Sequence, residues 1–562
     1  MKSKQMDSRE SIFAGLNQAQ QEAVRTDSGP VLVVAGPGTG KTLTIIRRIA
    51  YLIHGGVEPA SIAAVTFTNR AAKEMRERAD SLLGDMGETV FIGTLHLLGL
   101  KILQEALPDS FVICDREEQM GLLKSLTKGS TLSPEEAADR ISRVKGLIED
   151  LDDDVRSIYA AYQSALFERG ALDFDDLVSV PLEFFKDDRL LGKYRQRIKH
   201  IIVDEYQDIN PAQCELLRLL AGDGGNICAV GDSDQAIYAF RGADVRNFIN
   251  FEERFNGARR IDLRDSYRST GTILNASSIM IRNNASRIDK EVRPVKDGGS
   301  RITVVSVPDE RSEGDIVVDE IEARIGGSSH YKRMRSDFRR EFSQGPYGFS
   351  DFAVIYRTNA QAKALEEAFS EAGIPCQVIG RKASRKRKEA AEAIARFRNS
   401  GQIPEESIEA LCKELGLADK GTFDTPDHTG RATEMINLLS LLTPADDFDP
   451  RGDAVALMTL HMAKGLEFKV VFIAGVEDGL IPYTMAKAPA DVEEERRLLY
   501  VGMTRAQEEL FLLHTRSRTV YGRRLARALS PFVDEIPAEF VTKLVVPDRP
   551  KKSKEDKQMK LF

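Results

Sequence analysis

Ala35-Gly36-Pro37-Gly38-Thr39-Gly40-Lys41-Thr42 follows the apolar run Pro30–Val34 and opens a stretch in which Leu43, Ile46, Ile49, Ala50 and Ile53 recur at helical spacing. A glycine-rich loop between a buried strand and a helix is the context that the phosphate-loop pattern requires. The glycines let successive backbone N–H groups close around phosphate oxygens, and the helix N-terminus adds positive potential. On this reading Lys41 neutralises the β- and γ-phosphates of a nucleoside triphosphate, and the Thr42 hydroxyl ligates Mg2+.

Further apolar runs lie at Ala63–Thr66, His200–Val203, Ile227–Val230, Phe352–Tyr356, Val455–Leu460 and Lys469–Ala474, each followed by polar loops and amphipathic stretches. Such alternation predicts parallel sheets covered by helices on both faces. Leu100–Phe174 and Glu389–Leu442 lack such runs and read as helical insertions. At the end of one run stands Val203-Asp204-Glu205. Downstream of a phosphate loop, Asp204 is placed to hold the hydrated Mg2+, and Glu205 to orient or deprotonate the attacking water.

A chain of 562 residues exceeds what one core serves, so three or four compact units are expected. With 42% hydrophobic and 30% charged residues it reads as globular. It has no apolar run of membrane-spanning length and no signal-peptide core near Met1–Glu10, so a cytoplasmic location is expected. Cys114, Cys214, Cys228, Cys376 and Cys412 are scattered without a CxxC pair, which favours reduced thiols over a disulfide frame or zinc site. A net charge of −8 does not point to nucleic acid, yet a basic groove can focus its field within an acidic protein.

Taken in order, the motifs resemble those of the UvrD/Rep/PcrA helicases of superfamily 1 over almost the whole chain. Leu16-Asn17-Gln18-Ala19-Gln20 resembles the adenine-reading motif, with Gln20 as the reader. Thr66-Phe67-Thr68-Asn69-Arg70-Ala71-Ala72 and Gly93-Thr94-Leu95-His96 resemble the first single-strand-binding motifs. Asp204-Glu205-Tyr206-Gln207-Asp208, the run Val230–Gly242 and Ser266-Tyr267-Arg268-Ser269 follow. The series closes with Thr459–Phe468 and Leu499–Ala506.

The resemblance implies an α/β fold of two RecA-like parallel-sheet lobes with helical insertions. Residues 1–98 and 175–270 would form the first lobe, with 99–174 inserted. Residues 271–388 and 452–546 would form the second, with 389–451 inserted and 547–562 a flexible tail. For ATP and Mg2+ it implies a site of Gln20, the loop residues Ala35, Gly36, Pro37, Gly38, Thr39, Gly40, Lys41 and Thr42, then Asp204, Glu205, Gln235, Tyr267, Arg268, Glu467 and Arg505. Gln235 would sense the γ-phosphate, Tyr267 stack on adenine, and Glu467 accept from the ribose or close the cleft. Arg268 and Arg505 would stabilise transition-state charge as two lobes close, an effect worth about 10³-fold or more in rate.

For single-stranded and tailed duplex DNA the resemblance implies stacking on Phe67, Tyr238 and Phe240. Asn69, His96, Arg241, Arg357, Asn359 and His461 are the implied polar and backbone contacts. The implied activity is an ATP-driven 3′→5′ helicase in repair or replication restart, and the alternative is a single-strand translocase that strips bound proteins.

The chain also departs from the family. Residues 389–451 are too few for the large second-lobe insertion, called 2B. Arg381–Lys388 replaces an aromatic-rich stretch with a charge run that reads equally as a solvated helix start or a phosphate-binding patch. Roughly fifty residues follow Ala506, too few for a nuclease domain, so no intrinsic nuclease is expected. Gln558-Met559-Lys560-Leu561-Phe562 resembles the peptide by which bacterial proteins dock on the DNA-polymerase sliding clamp, with Gln558, Leu561 and Phe562 as its anchors.

Overall fold

Strand β1 (Val31–Ala35) carries the logic of the first sheet in its five residues. Val31, Val33 and Ala35 enter one apolar cluster and Leu32 and Val34 another. Successive side chains of a strand face opposite ways, so two filled clusters mean a sheet covered on both faces. The computed structural model describes residues 9–107, 110–326, 347–380, 385–400, 428–484, 491–520 and 522–548.

The other strands of this sheet are β2 (Ile62–Thr66), β3 (Phe91–Thr94), β4 (His200–Val203), β5 (Asn226–Gly231) and β6 (Arg259–Leu263). All pair in parallel, in the order β3-β2-β4-β5-β1-β6. Parallel β2 and β4 pair Val65 with Val203, which brings the motifs that follow each strand to one edge. The helix Lys41–His54 buries Ile45, Ile46, Ile49 and Leu52 against the sheet and Ala50 against Ile12, Leu16 and Val24, whereas Leu43, expected on the same face, is exposed.

The second sheet has seven parallel strands: β7 (Ile302–Val307), β8 (Phe352–Tyr356), β9 (Cys376–Val378), β10 (Val455–Thr459), β11 (Phe468–Ala474), β12 (Ala506–Thr515) and β13 (Val541–Val545). Their order is β9-β10-β8-β11-β12-β7-β13. The same unit holds a buried ionic cluster in which Arg518 reaches Glu313 and Glu477, each at 2.7 Å.

Three or four units were expected, but the residues group into two. Met1–Asp265, Ser286–Val292 and Ala383–Asp447 form the first, and Ser266–Ala285, Arg293–Lys382 and Phe448–Phe562 the second. The first unit runs to Asp265, beside an expected lobe edge after residue 270, and the described residues of the expected insertion 389–451 pack within the first unit as far as Asp447.

The physical reason is a shared core. Ala390, Ala393, Met435, Leu438 and Leu439 pack with Leu97, Leu100, Leu103 and Leu177. Asn437 adds a polar lock, accepting from Ile113 N at 2.9 Å and donating to Phe111 O at 2.8 Å. Residues 112–171 hold their own cluster around Leu123, Ile141 and Tyr162 without separating from the first unit.

Of the charge run, Arg381–Ser384 lie outside the described residues, and Arg385 opens the helix Arg385–Ser400. The tail, with Gln558, Leu561 and Phe562, also lies outside them. Among the described residues no helix is long and apolar enough to cross a membrane, and Cys114, Cys214, Cys228 and Cys376 are free thiols.

Candidate functional site

The phosphate loop turns from β1 into the helix Lys41–His54 at Gly40, whose φ of +81° is left-handed and suits glycine. Gly36 is needed for a different reason. A Cβ there would stand 2.7 Å from Val292 Cγ2. Thr39 Oγ1 donates to Gly36 O at 2.9 Å and closes the loop on itself. Ala35 and Pro37 are buried beneath it, and Gly38 and Thr42 are partly open.

Gln20 is buried and spent locally. Its Nε2 donates to Thr39 O at 2.9 Å, and its Oε1 accepts from Asn17 N at 3.0 Å in a helix-capping pair. The residue read as the adenine contact thus braces the phosphate loop in this state.

At the end of β4, Glu205 adopts a φ of +54°, unusual for a residue with a side chain. That backbone brings Glu205 Oε1 to 3.5 Å from Lys41 Nζ. Glu205 N donates to Asp204 Oδ1 at 3.1 Å, and Asp204 N donates to Val65 O at 2.8 Å, which fixes the acidic pair to both strands. Gln207 Nε2 donates to Glu205 Oε2, while Gln207 Oε1 accepts from Asp232 N at 3.0 Å. Asp232 Oδ2 in turn accepts from Gln235 Nε2 at 2.8 Å. Lys41, Glu205 and Gln235, far apart in sequence, are joined by one polar chain. Thr42 and Asp204 are hard oxygen ligands of the kind Mg2+ prefers.

The base-stacking candidates also meet in the first unit. Phe67, two residues past Val65, stacks on Tyr238 with ring centres 4.5 Å apart, and Tyr238 lies 6.0 Å from Phe240. The Arg241 guanidinium lies 5.5 Å and 5.6 Å from the Tyr238 and Phe240 ring centres. Phe240 is 61% exposed, whereas Tyr238 is buried and supports the platform more than it forms it.

His96 lies against Phe174, a ring that sequence reading missed, with ring centres 4.1 Å apart and the planes tilted by 34°. Burial, aided by the charge of Arg241, pushes the His96 imidazole down to about 4. It is therefore neutral at pH 7 and offers a hydrogen bond, not a charge, to a phosphate. Asn69 is not turned outward. Its buried amide donates to Leu441 O at 2.9 Å and to Asp446 Oδ2 at 3.3 Å, tying the insertion to the first unit.

In the second unit, Arg268, Glu467 and Arg505 gather around Thr504. Arg268 Nε donates to Glu467 Oε2 at 2.6 Å, and its Nη1 to Thr504 O at 3.2 Å. Burial pushes the Glu467 carboxyl up, but Arg268, the Gln507 hydrogen bond and Arg505 outweigh this and hold it below the usual carboxylate range.

Arg505 is 1% exposed and spends its guanidinium on Val501 O, Leu466 O and Thr504 Oγ1 at 2.8, 3.1 and 3.1 Å. Tyr267 is 43% exposed, as a stacking ring requires. Arg357 forks onto Glu495, with Nη2 to Oε1 at 2.7 Å, and lies over the Tyr483 ring. Asn359 is exposed and His461 half-buried on the loops after β8 and β10.

Residues 16–256 match the UvrD/REP helicase N-terminal domain, and 261–402 with 405–517 the UvrD-like helicase C-terminal domain. The chain is 31% identical to the ATP-dependent DNA helicase PcrA of Bacillus subtilis over 660 aligned positions, covering 95% of this chain and 87% of that protein. The PcrA of Staphylococcus epidermidis is likewise 31% identical over 655 positions, with 94% and 87% covered. Both alignments are longer than the 562 residues here, so these relatives carry residues that this chain lacks.

Proposed function

The chain belongs to the UvrD/Rep family of helicases, and from that premise we propose that it couples ATP hydrolysis to 3′→5′ movement along single-stranded DNA and unwinds tailed duplexes. The observation that carries this reading is the shared edge of β2 and β4. Val65 pairs with Val203, so the ring of Phe67 and the carboxylates of Asp204 and Glu205 follow neighbouring strands. A change at the nucleotide is thereby felt directly at the stacking platform.

In this reading the loop Ala35–Thr42 and Lys41 hold the phosphates, and Glu205 orients and deprotonates the attacking water. Thr42 and Asp204 would hold Mg2+, which when bound supplies charge to neutralise the phosphates. Gln235 senses the γ-phosphate. Arg268 and Arg505 are the proposed transition-state cations.

Phe240, Phe67 and Phe174 supply ring faces for bases, and Arg241 a phosphate contact. The short insertion 389–451 supports a second reading, in which stripping proteins from a strand outweighs unwinding.

Strand displacement on duplexes bearing a 3′ or a 5′ tail tests the proposal, with Lys41→Ala as control. Displacement confined to the 3′-tailed duplex, with DNA-stimulated ATPase lost in Lys41→Ala, is expected. Equal activity on both tails overturns the polarity. Release of streptavidin from a biotinylated single strand without displacement selects the second reading.

A further inference from the structure

Ser286–Val292 is a short segment whose neighbours in sequence, on both sides, belong to the second unit, yet it packs within the first. It is fastened there by Arg287 and Lys290, which no motif reading singled out. Arg287 forks onto Asp234, with Nε to Oδ1 at 2.9 Å and Nη2 to Oδ2 at 2.8 Å. Lys290 Nζ reaches Asp232 Oδ1 at 2.5 Å and also meets Asp234 Oδ2. Ile288 N donates to Ser233 Oγ at 3.0 Å. Two cations face two carboxylates, and Lys290, Asp232 and Asp234 are almost wholly buried.

An ion cluster of this kind is a poor way to gain stability, because desolvation offsets most of the attraction. What it does give is orientation, since each charge fixes the direction of its partner. The partner here is Asp232. Its second oxygen holds Gln235 Nε2, and its backbone N–H holds Gln207, whose other end meets Glu205.

We propose that Arg287 and Lys290 are positioning residues for hydrolysis: by fixing Asp232 and Asp234 they set the placement of Gln235, and through Gln207 that of Glu205. The proposal rests on the reading of Gln235 as the nucleotide sensor. Neither cation touches the nucleotide in this scheme. The segment follows the strand bearing Arg268 in sequence, with the helix Gly271–Ile281 between them.

The test is a double-mutant cycle on the full chain, reading kcat and KM for ATP with saturating single-stranded DNA, and affinity for a non-hydrolysable ATP analogue. Arg287→Ala is the variant of choice because Lys290 still pairs with Asp234. It is expected to lower kcat about tenfold while analogue affinity stays within about twofold. Gln235→Ala is expected to lower kcat at least as far, and the double variant to fall no further.

Arg287→Lys keeps the charge but loses the fork, and should give a smaller kcat loss at an unchanged thermal midpoint. This variant serves if Arg287→Ala does not fold. Losses that multiply in the double variant, or an unchanged kcat in both Arg287 variants beside a reduced one in Gln235→Ala, overturn the positioning role alone. An unchanged kcat in Gln235→Ala overturns the sensor reading and this proposal together.

Discussion

Glu205 holds a backbone conformation that costs a residue with a side chain about 1–3 kcal/mol, a strain retained where the geometry serves chemistry. If Glu205 handles the attacking water, Glu205→Gln should lower kcat by about 10²–10⁴-fold and leave analogue affinity nearly unchanged. A variant that loses both together would show that pairing with Lys41 is its main task. His96 makes a different prediction. Its folded value of about 4 lies below the ordinary value of about 6.5, so the unfolded chain takes up a proton first as pH falls. The stability from burying neutral His96 is therefore complete above pH about 6.5 and is lost as pH falls toward 4, by about 3 kcal/mol at most. Urea titrations across that window should show a shallower acid-side decline in His96→Asn than in the parent. Because the ring is neutral at pH 7, the same variant should leave the salt dependence of DNA binding unchanged.

At the scale of elements, the phosphate loop is held from outside as well as by its own turn. Gly36→Ala would press its new methyl on Val292, and should weaken ATP-analogue binding about tenfold, within the range that a small steric misfit costs. Val292→Ala in the same chain should restore much of the affinity, as isothermal titration would show. Failure of that rescue would place the defect in the backbone of the loop. The loop itself was legible because its signal is local, a glycine run between apolar strand and helix. The strands β1, β2, β4 and β8 were legible for the same reason. Strand β6 was not, since its exposed Arg259 and Arg260 mask the buried Ile261 and Leu263 of a sheet edge. The docking of Met435 and Leu438 beside Leu100 escaped notice because helical spacing shows that a face is buried, not against what. The partners of Asp232 and Asp234 stand more than fifty residues away, beyond the reach of any spacing rule. Likewise Phe174 announced itself only as one aromatic in a loop, and its contact with His96 needed the fold.

At the scale of the whole molecule, a chain of net charge −8 that binds a polyanion must confine its positive potential to a small area. In the first unit the described candidate is Arg241, an exposed guanidinium beside the rings of Tyr238 and Phe240 and near enough to His96 to depress its proton affinity. Such a patch divides the work. Rings bind base faces in a way that salt barely affects, while each cation on a phosphate releases about 0.7 of a counterion from a single strand. Arg241→Ala should therefore weaken binding and flatten the slope of log affinity against log salt by about 0.7. Phe240→Ala should weaken binding by about 1–3 kcal/mol at every salt concentration and leave that slope alone. Fluorescence anisotropy with a labelled oligonucleotide at several salt concentrations separates the two. A slope unchanged by Arg241→Ala would assign this arginine to packing on the aromatic rings, and the phosphate contacts would then have to come from the cations of other loops.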